Sequence, residues 1–125
     1  MPGRCSRSLE ERLRGLFDRP STRDLVGGLA RLIHELVLEL RPLAILLAGS
    51  LARGEFVRGM SDIDLLVVSP SVRGLRLDER IRLAYRAWPF RRAADIILLT
   101  PEEFERALEH SVVLRDARRY WVRLL

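Results

Sequence analysis

The chain has 125 residues, 48% of them apolar, and a net charge of +5. That suffices for one hydrophobic core and not for two, so a single domain over 1–125 is expected. No apolar run reaches the length of a membrane span, and no signal-peptide apolar segment opens the chain. A cytoplasmic protein is therefore expected. The lone Cys5 permits no internal disulfide, which suits a reducing compartment. All 22 basic residues are arginine, and there is no Lys, Asn or Gln. That bias suits a GC-rich or hot-living source. The arginines are scattered along the chain with few aromatics among them, so nucleic acid is not the expected partner.

Ser8-Leu9-Glu10-Glu11 forms a capping box, and Leu9, Leu13, Leu16 and Phe17 share one helical face before Pro20. Ser21 or Thr22 starts a second helix with Asp24 in its first turn. Leu25, Leu29, Leu32, Ile33, Leu36 and Leu40 form its apolar stripe, and Pro42 closes it. The Gly27-Gly28 pair costs about 1 kcal/mol per glycine relative to alanine, and it would suit a close helix contact. Leu43 to Ala48 reads as a buried strand ending at Gly49. Residues 50–56 read as a short helix, and Ile63 to Val68 as a second buried strand stopped by Pro70. Leu77, Ile81, Ala84, Tyr85 and Trp88 lie at helical spacing, predicting a helix over 75–88 with Tyr85 and Trp88 in the core. Ala93 to Leu99 is a third apolar strand, carrying Asp95. Thr100-Pro101-Glu102-Glu103 combines an N-cap, a first-turn proline and a capping glutamate, and the helix runs to about Glu109 with Phe104 and Leu108 inward. Beyond it, Ser111 to Leu125 is ambiguous: Val112-Val113-Leu114 suits a short strand, and Tyr120-Trp121-Val122 suits the continuation of a helix. The order is that of a small α/β domain: N-terminal helices over 8–41, a core over 43–100, and a C-terminal helix and tail over 101–125.

The chemistry concentrates in the core segment. Side chains two apart on a strand leave the same face, so Asp62 and Asp64 are neighbours. A hard divalent cation relieves the repulsion between such carboxylates. Asp62 alone could be a strand-end cap. Asp64 and Asp95 are each flanked by apolar residues, and a buried carboxylate without a partner is expensive. If the third strand pairs beside the second, Asp95 joins the patch, and three carboxylates can hold two metal ions about 3.5–4 Å apart. Gly49 permits a tight bend, Ser50 offers a hydroxyl, and Arg53 can reach a phosphate with two hydrogen bonds. His34 and His110 have no metal-ligand spacing and read as structural or exposed.

Gly49-Ser50-x-Ala52-Arg53-Gly54-Glu55 followed by Ser61-Asp62-Ile63-Asp64-Leu65 resembles the signature of the DNA polymerase beta-like nucleotidyltransferase superfamily. The small size points to its minimal nucleotidyltransferase branch, and the likeness covers roughly 44–100. The resemblance implies a small mixed sheet of three to four strands flanked by helices. It implies two Mg²⁺ ions held by Asp62 and Asp64 and completed by Asp95, which would also accept the nucleophile's proton. Gly49 and Ser50 would hold the outer phosphates of a nucleoside triphosphate, with Arg53 helping. The implied reaction moves a nucleoside monophosphate, AMP from ATP, onto a hydroxyl and releases pyrophosphate. Small members of this branch are often paired with a helical HEPN-domain protein, several as the antitoxin of a toxin–antitoxin pair, in homo- or hetero-oligomers. The alternative is a catalytically weak module that binds a nucleotide or neutralises a toxin by contact.

Overall fold

The computed structural model describes residues 9, 11, 13–15, 25–53, 63–86, 88 and 94–125. Among them, the strongest helical period in the sequence becomes the longest element, helix α1 over Leu25–Leu40. Its stripe at Leu25, Leu29, Leu32, Ile33, Leu36 and Leu40 is buried throughout, as three- and four-residue spacing on one face requires. The expected capping box at Ser8 and the start of this helix at Ser21 or Thr22 lie outside the described residues. Residues 9, 11 and 13–15 are helical, with Leu13 in the core.

The glycines of α1 do not mark a close contact at Gly27, where an added Cβ would meet nothing within 4 Å. Gly27→Ala is therefore expected to stabilise the chain by about 0.5–1 kcal/mol, raising Tm by about 2–5 °C. An unchanged or lowered melting temperature would show that Gly27 is kept for some other contact. The other end of α1 is held by hydroxyls. Ser69 Oγ and Ser71 Oγ donate to the Leu40 carbonyl at 2.5 and 2.8 Å, from a short 3₁₀ turn over Pro70–Val72.

The sheet has four strands: β1 over Ala44–Ala48, β2 over Ile63–Val68, β3 over Ala94–Leu99 and β4 over Val122–Arg123. Their order is β3-β2-β1-β4. β1 runs antiparallel to both β2 and β4, and β2 runs parallel to β3, so the sheet is mixed. One face carries Ile45, Leu47, Ile63, Leu65, Val67 and Ile96 into a core shared with α1. Residues between them, Asp64, Leu66, Asp95 and Ile97 among them, point to the other face.

Four helices complete the described part: α2 over Gly49–Ala52, α3 over Leu77–Arg86, α4 over Pro101–His110 and α5 over Val112–Ala117. α4 starts as its sequence predicts. Thr100 Oγ1 accepts from Glu103 N, and the Glu103 carboxylate accepts from Thr100 N. No helix of the described residues is long and apolar enough to cross a membrane.

Two expectations change. α3 is shorter than 75–88, and its apolar stripe is not core. Ala84 is buried, but Leu77, Ile81 and Tyr85 are exposed. The Tyr85 hydroxyl donates to the Ala94 carbonyl, which ties the ring to the start of β3, while Trp88 packs partly against the core. The C-terminal segment, ambiguous in sequence, takes the other option in each of its parts. Val112–Ala117 is a helix because the Ser111 hydroxyl accepts from Leu114 N and caps it, and the two valines stay exposed. The tail pairs along the open side of β1 rather than continuing a helix, with Leu124 buried in the core.

Glu103 also accepts from Arg80 at 2.8 Å, and the same guanidinium donates to the Leu98 carbonyl at 3.0 Å. The Thr100 backbone N–H holds the Glu103 carboxyl below its ordinary 4.5, against partial burial and with help from Arg80. A depressed folded pKa contributes stability above the unfolded value and loses it as pH falls through the folded one. Thermal melts from neutral pH down to about pH 3 should therefore show Tm falling below about pH 4.5. The fall should be shallower in Glu103→Gln, and parallel curves for the two proteins would refute this role.

Candidate active site

Three chain segments meet at one end of the sheet. β1 leaves at Ala48 and turns through Gly49, β2 enters with Asp64 as its second residue, and β3 enters with Asp95 as its second residue. Ala48 pairs with Asp64 and Asp64 pairs with Asp95, so the three stand in a row across the sheet. Paired residues on neighbouring strands about 4.8 Å apart project to the same face. The in-register parallel pairing of β2 with β3 thus sets the two carboxylates side by side.

Gly49 is fitted to this pair. Its φ of +72° lies in the left-handed region, and a Cβ at this position would sit 2.1 Å from Asp64 Oδ2. The space a side chain would need is the space the Asp64 carboxylate occupies. α2 begins at the same residue, and the Arg53 amide donates back to the Gly49 carbonyl at 3.2 Å. The turn and the carboxylate are therefore one packed unit.

The burial argument for the aspartates does not hold in its simple form. Asp95 is exposed and Asp64 partly so, because the face of β3 that carries Asp95 and Ile97 is open. Both carboxylates instead line a cleft of about 880 Å³ with Gly49 and Arg53. Its lining is largely apolar: Ile97, Leu77, Ile81 and Tyr85 contribute to it, as do residues of α5 and the tail, including Tyr120 and Trp121. Arg53 is exposed, and its guanidinium carbon lies 5.8 Å from the centre of the Tyr120 ring.

Asp62 lies outside the described residues, as does Gly54, and Ser50 is described in its backbone alone, within α2. The structure thus brings together Gly49, Arg53, Asp64 and Asp95 from the expected set. Among the described residues, no group of three or more His, Cys, Asp or Glu could hold a metal ion. The Asp64–Asp95 pair nevertheless has the chemistry such an ion requires: two hard oxygen donors, adjacent, in a cleft that solvent reaches. Tyr120 and Tyr85 are cleft residues that sequence patterning assigned elsewhere. The only sequence signal for Tyr120 was its place in an aromatic pair within a tail of uncertain structure.

Comparison with known proteins gives the same direction. A family model described as a nucleotidyltransferase domain matches residues 29–121, well over half of the chain. Among solved structures, a candidate nucleotidyltransferase of Sulfolobus solfataricus is 22% identical, with 82% of this chain and 79% of that chain covered and a TM-score of 0.48. No curated protein matches.

Proposed function

Since the chain belongs to the nucleotidyltransferase domain family, we propose that it is a minimal, polymerase beta-like member that moves AMP from ATP onto a hydroxyl of a partner protein. The observation that carries this reading is the adjacency of Asp64 and Asp95 beside a Gly49 turn that has no room for a side chain. Asp64, Asp95 and Asp62 would hold two Mg²⁺ ions. Bound there, the ions would make the acceptor hydroxyl more acidic and take up charge on the phosphates. Asp64, packed against the Gly49 turn, would be one of the residues that hold the ions. Gly49 and Ser50 would offer backbone N–H groups, and the Ser50 hydroxyl, to the outer phosphates, and Arg53 would add its guanidinium. The acceptor oxygen would bond to the α-phosphorus as the bond to the bridging oxygen breaks. Pyrophosphate leaves, and Asp95 takes the hydroxyl proton.

The cleft's apolar lining favours a protein acceptor. The arginines on and just before α3 are ion-paired, Arg76 and Arg82 with Asp78 and Arg86 with Glu39. A nucleic-acid track would need such cations for phosphates. The family resemblance suggests a helical HEPN-domain protein as the acceptor and a toxin–antitoxin pair as the setting. Incubation with Mg²⁺, the product of the adjacent gene and ATP labelled in the α- or the γ-phosphate tests this. Transfer of the α-label alone is the expected result. If the partner binds and no label transfers, the catalytic reading fails. If an Asp64→Asn/Asp95→Asn double variant still neutralises the partner, a role by contact replaces it.

A further inference from the structure

We infer that Tyr120 is a positioning residue that holds Arg53 in place for the outer phosphates of the donor. The inference rests on the reading of Arg53 as a phosphate ligand. The Arg53 guanidinium carbon lies 5.8 Å from the Tyr120 ring centre, within the roughly 6 Å at which a cation is attracted to a ring face. Both side chains line the cleft that holds Asp64 and Asp95. An exposed arginine samples many rotamers, and ordering it on each binding event costs affinity. A ring that already holds the cation removes part of that cost. It does so without consuming any of the five guanidinium N–H donors, which are the groups a phosphate needs.

The backbone that carries the ring is held by contacts that do not involve Arg53. The Tyr120 and Trp121 amides both donate to the Ala117 carbonyl, at 3.0 and 2.9 Å. The Trp121 ring packs on Phe104 of α4, with centroids 5.8 Å apart. Immediately afterwards, Val122 and Arg123 pair with Leu47 and Leu46. Tyr120 stands two residues before that ladder and lines the same cleft as Gly49, the residue that opens the phosphate turn. The segment leading into the last strand thus places an aromatic ring beside Arg53 in the cleft, a position no local sequence pattern announces. The hydroxyl of Tyr120 has no part in the contact, so phenylalanine should serve equally well.

The test uses the full chain titrated calorimetrically with inorganic triphosphate in the presence of Mg²⁺, a probe that needs neither the correct base nor the acceptor. Tyr120→Leu should weaken triphosphate binding about two- to fivefold, the range of an exposed cation–ring contact. Tyr120→Phe should bind as the wild type does. Binding of Mg²⁺ alone should be the same in all three proteins, which a general loosening of the tail would not allow. Arg53→Ala should weaken binding further, and adding Tyr120→Leu to it should have no additional effect. If Arg53→Ala weakens binding and Tyr120→Leu does not, the positioning role is overturned while the role of Arg53 stands. Equal losses from Tyr120→Leu with and without Arg53 would also overturn it. If Arg53→Ala binds triphosphate like the wild type, the phosphate role of Arg53 fails and that of Tyr120 falls with it.

Discussion

Asp64→Asn is expected to lower nucleotidyl transfer by about a thousandfold, the equivalent of some 4 kcal/mol of lost transition-state stabilisation. Asparagine keeps the shape of the side chain and one carbonyl oxygen. It removes the negative charge that a divalent cation requires. The fold should survive, with stability within about 1 kcal/mol of the wild type, because the change also relieves repulsion between Asp64 and its strand partner Asp95. A second readout separates metal binding from catalysis. Anything that binds only the native state raises Tm, so Mg²⁺ with ATP should raise the Tm of the wild type and leave the variant nearly unmoved. Wild-type transfer rates in a folded Asp64→Asn protein would remove Asp64 from the site. An undiminished Mg²⁺ effect would remove it from metal binding.

Gly49→Ala should be nearly as damaging, by a different route. The new methyl carbon would stand 2.1 Å from Asp64 Oδ2 and 3.1 Å from its Cγ, so the carboxylate must move. The backbone at +72° adds a cost of about 1–2 kcal/mol for any side chain. A misplacement of about 1 Å at a reacting centre can cost on the order of a hundredfold in rate, and a loss of that size is expected here, with Tm lowered by about 4–8 °C. Gly74→Ala is the control. Gly74 has a φ of +82° but open space around it. It should show a similar thermal loss and unchanged transfer. If both variants keep their activity, the fit between Gly49 and Asp64 has no catalytic consequence.

The legible parts of the fold were those where a period and its burial coincide. The α1 stripe at Leu25, Leu29, Leu32, Ile33, Leu36 and Leu40 is one, and the Thr100–Glu103 capping box is another, since its partners lie three residues apart. Periodicity marks a face without saying what covers it. For that reason Leu77, Ile81 and Tyr85 read as core and in fact wall the cleft. Asp95 misled for a related reason. The outward residue Ile97 on β3 is apolar, so a strand open on one side looked buried on both. The Asp64–Asp95 adjacency depended on an in-register pairing between strands that are far apart in the chain, which the sequence could state only as a condition. At 111–125, β-branched Val112 and Val113 suggested a strand. The Ser111 cap decided for helix, and the open side of β1 took Val122 and Arg123 instead.

The order of strands across the sheet also leads us to expect an order of assembly. β1 and β2 are consecutive in the chain and pair directly, and β3 joins after one crossover through α3. β4 must close almost the whole length of the core before its short ladder is formed, and loop closure of that kind precedes any gain from the contact. The carboxylate pair belongs to the early part of folding. The Arg53–Tyr120 contact is expected last, so a nearly folded chain would already carry its paired aspartates while its arginine still lacked the aromatic support.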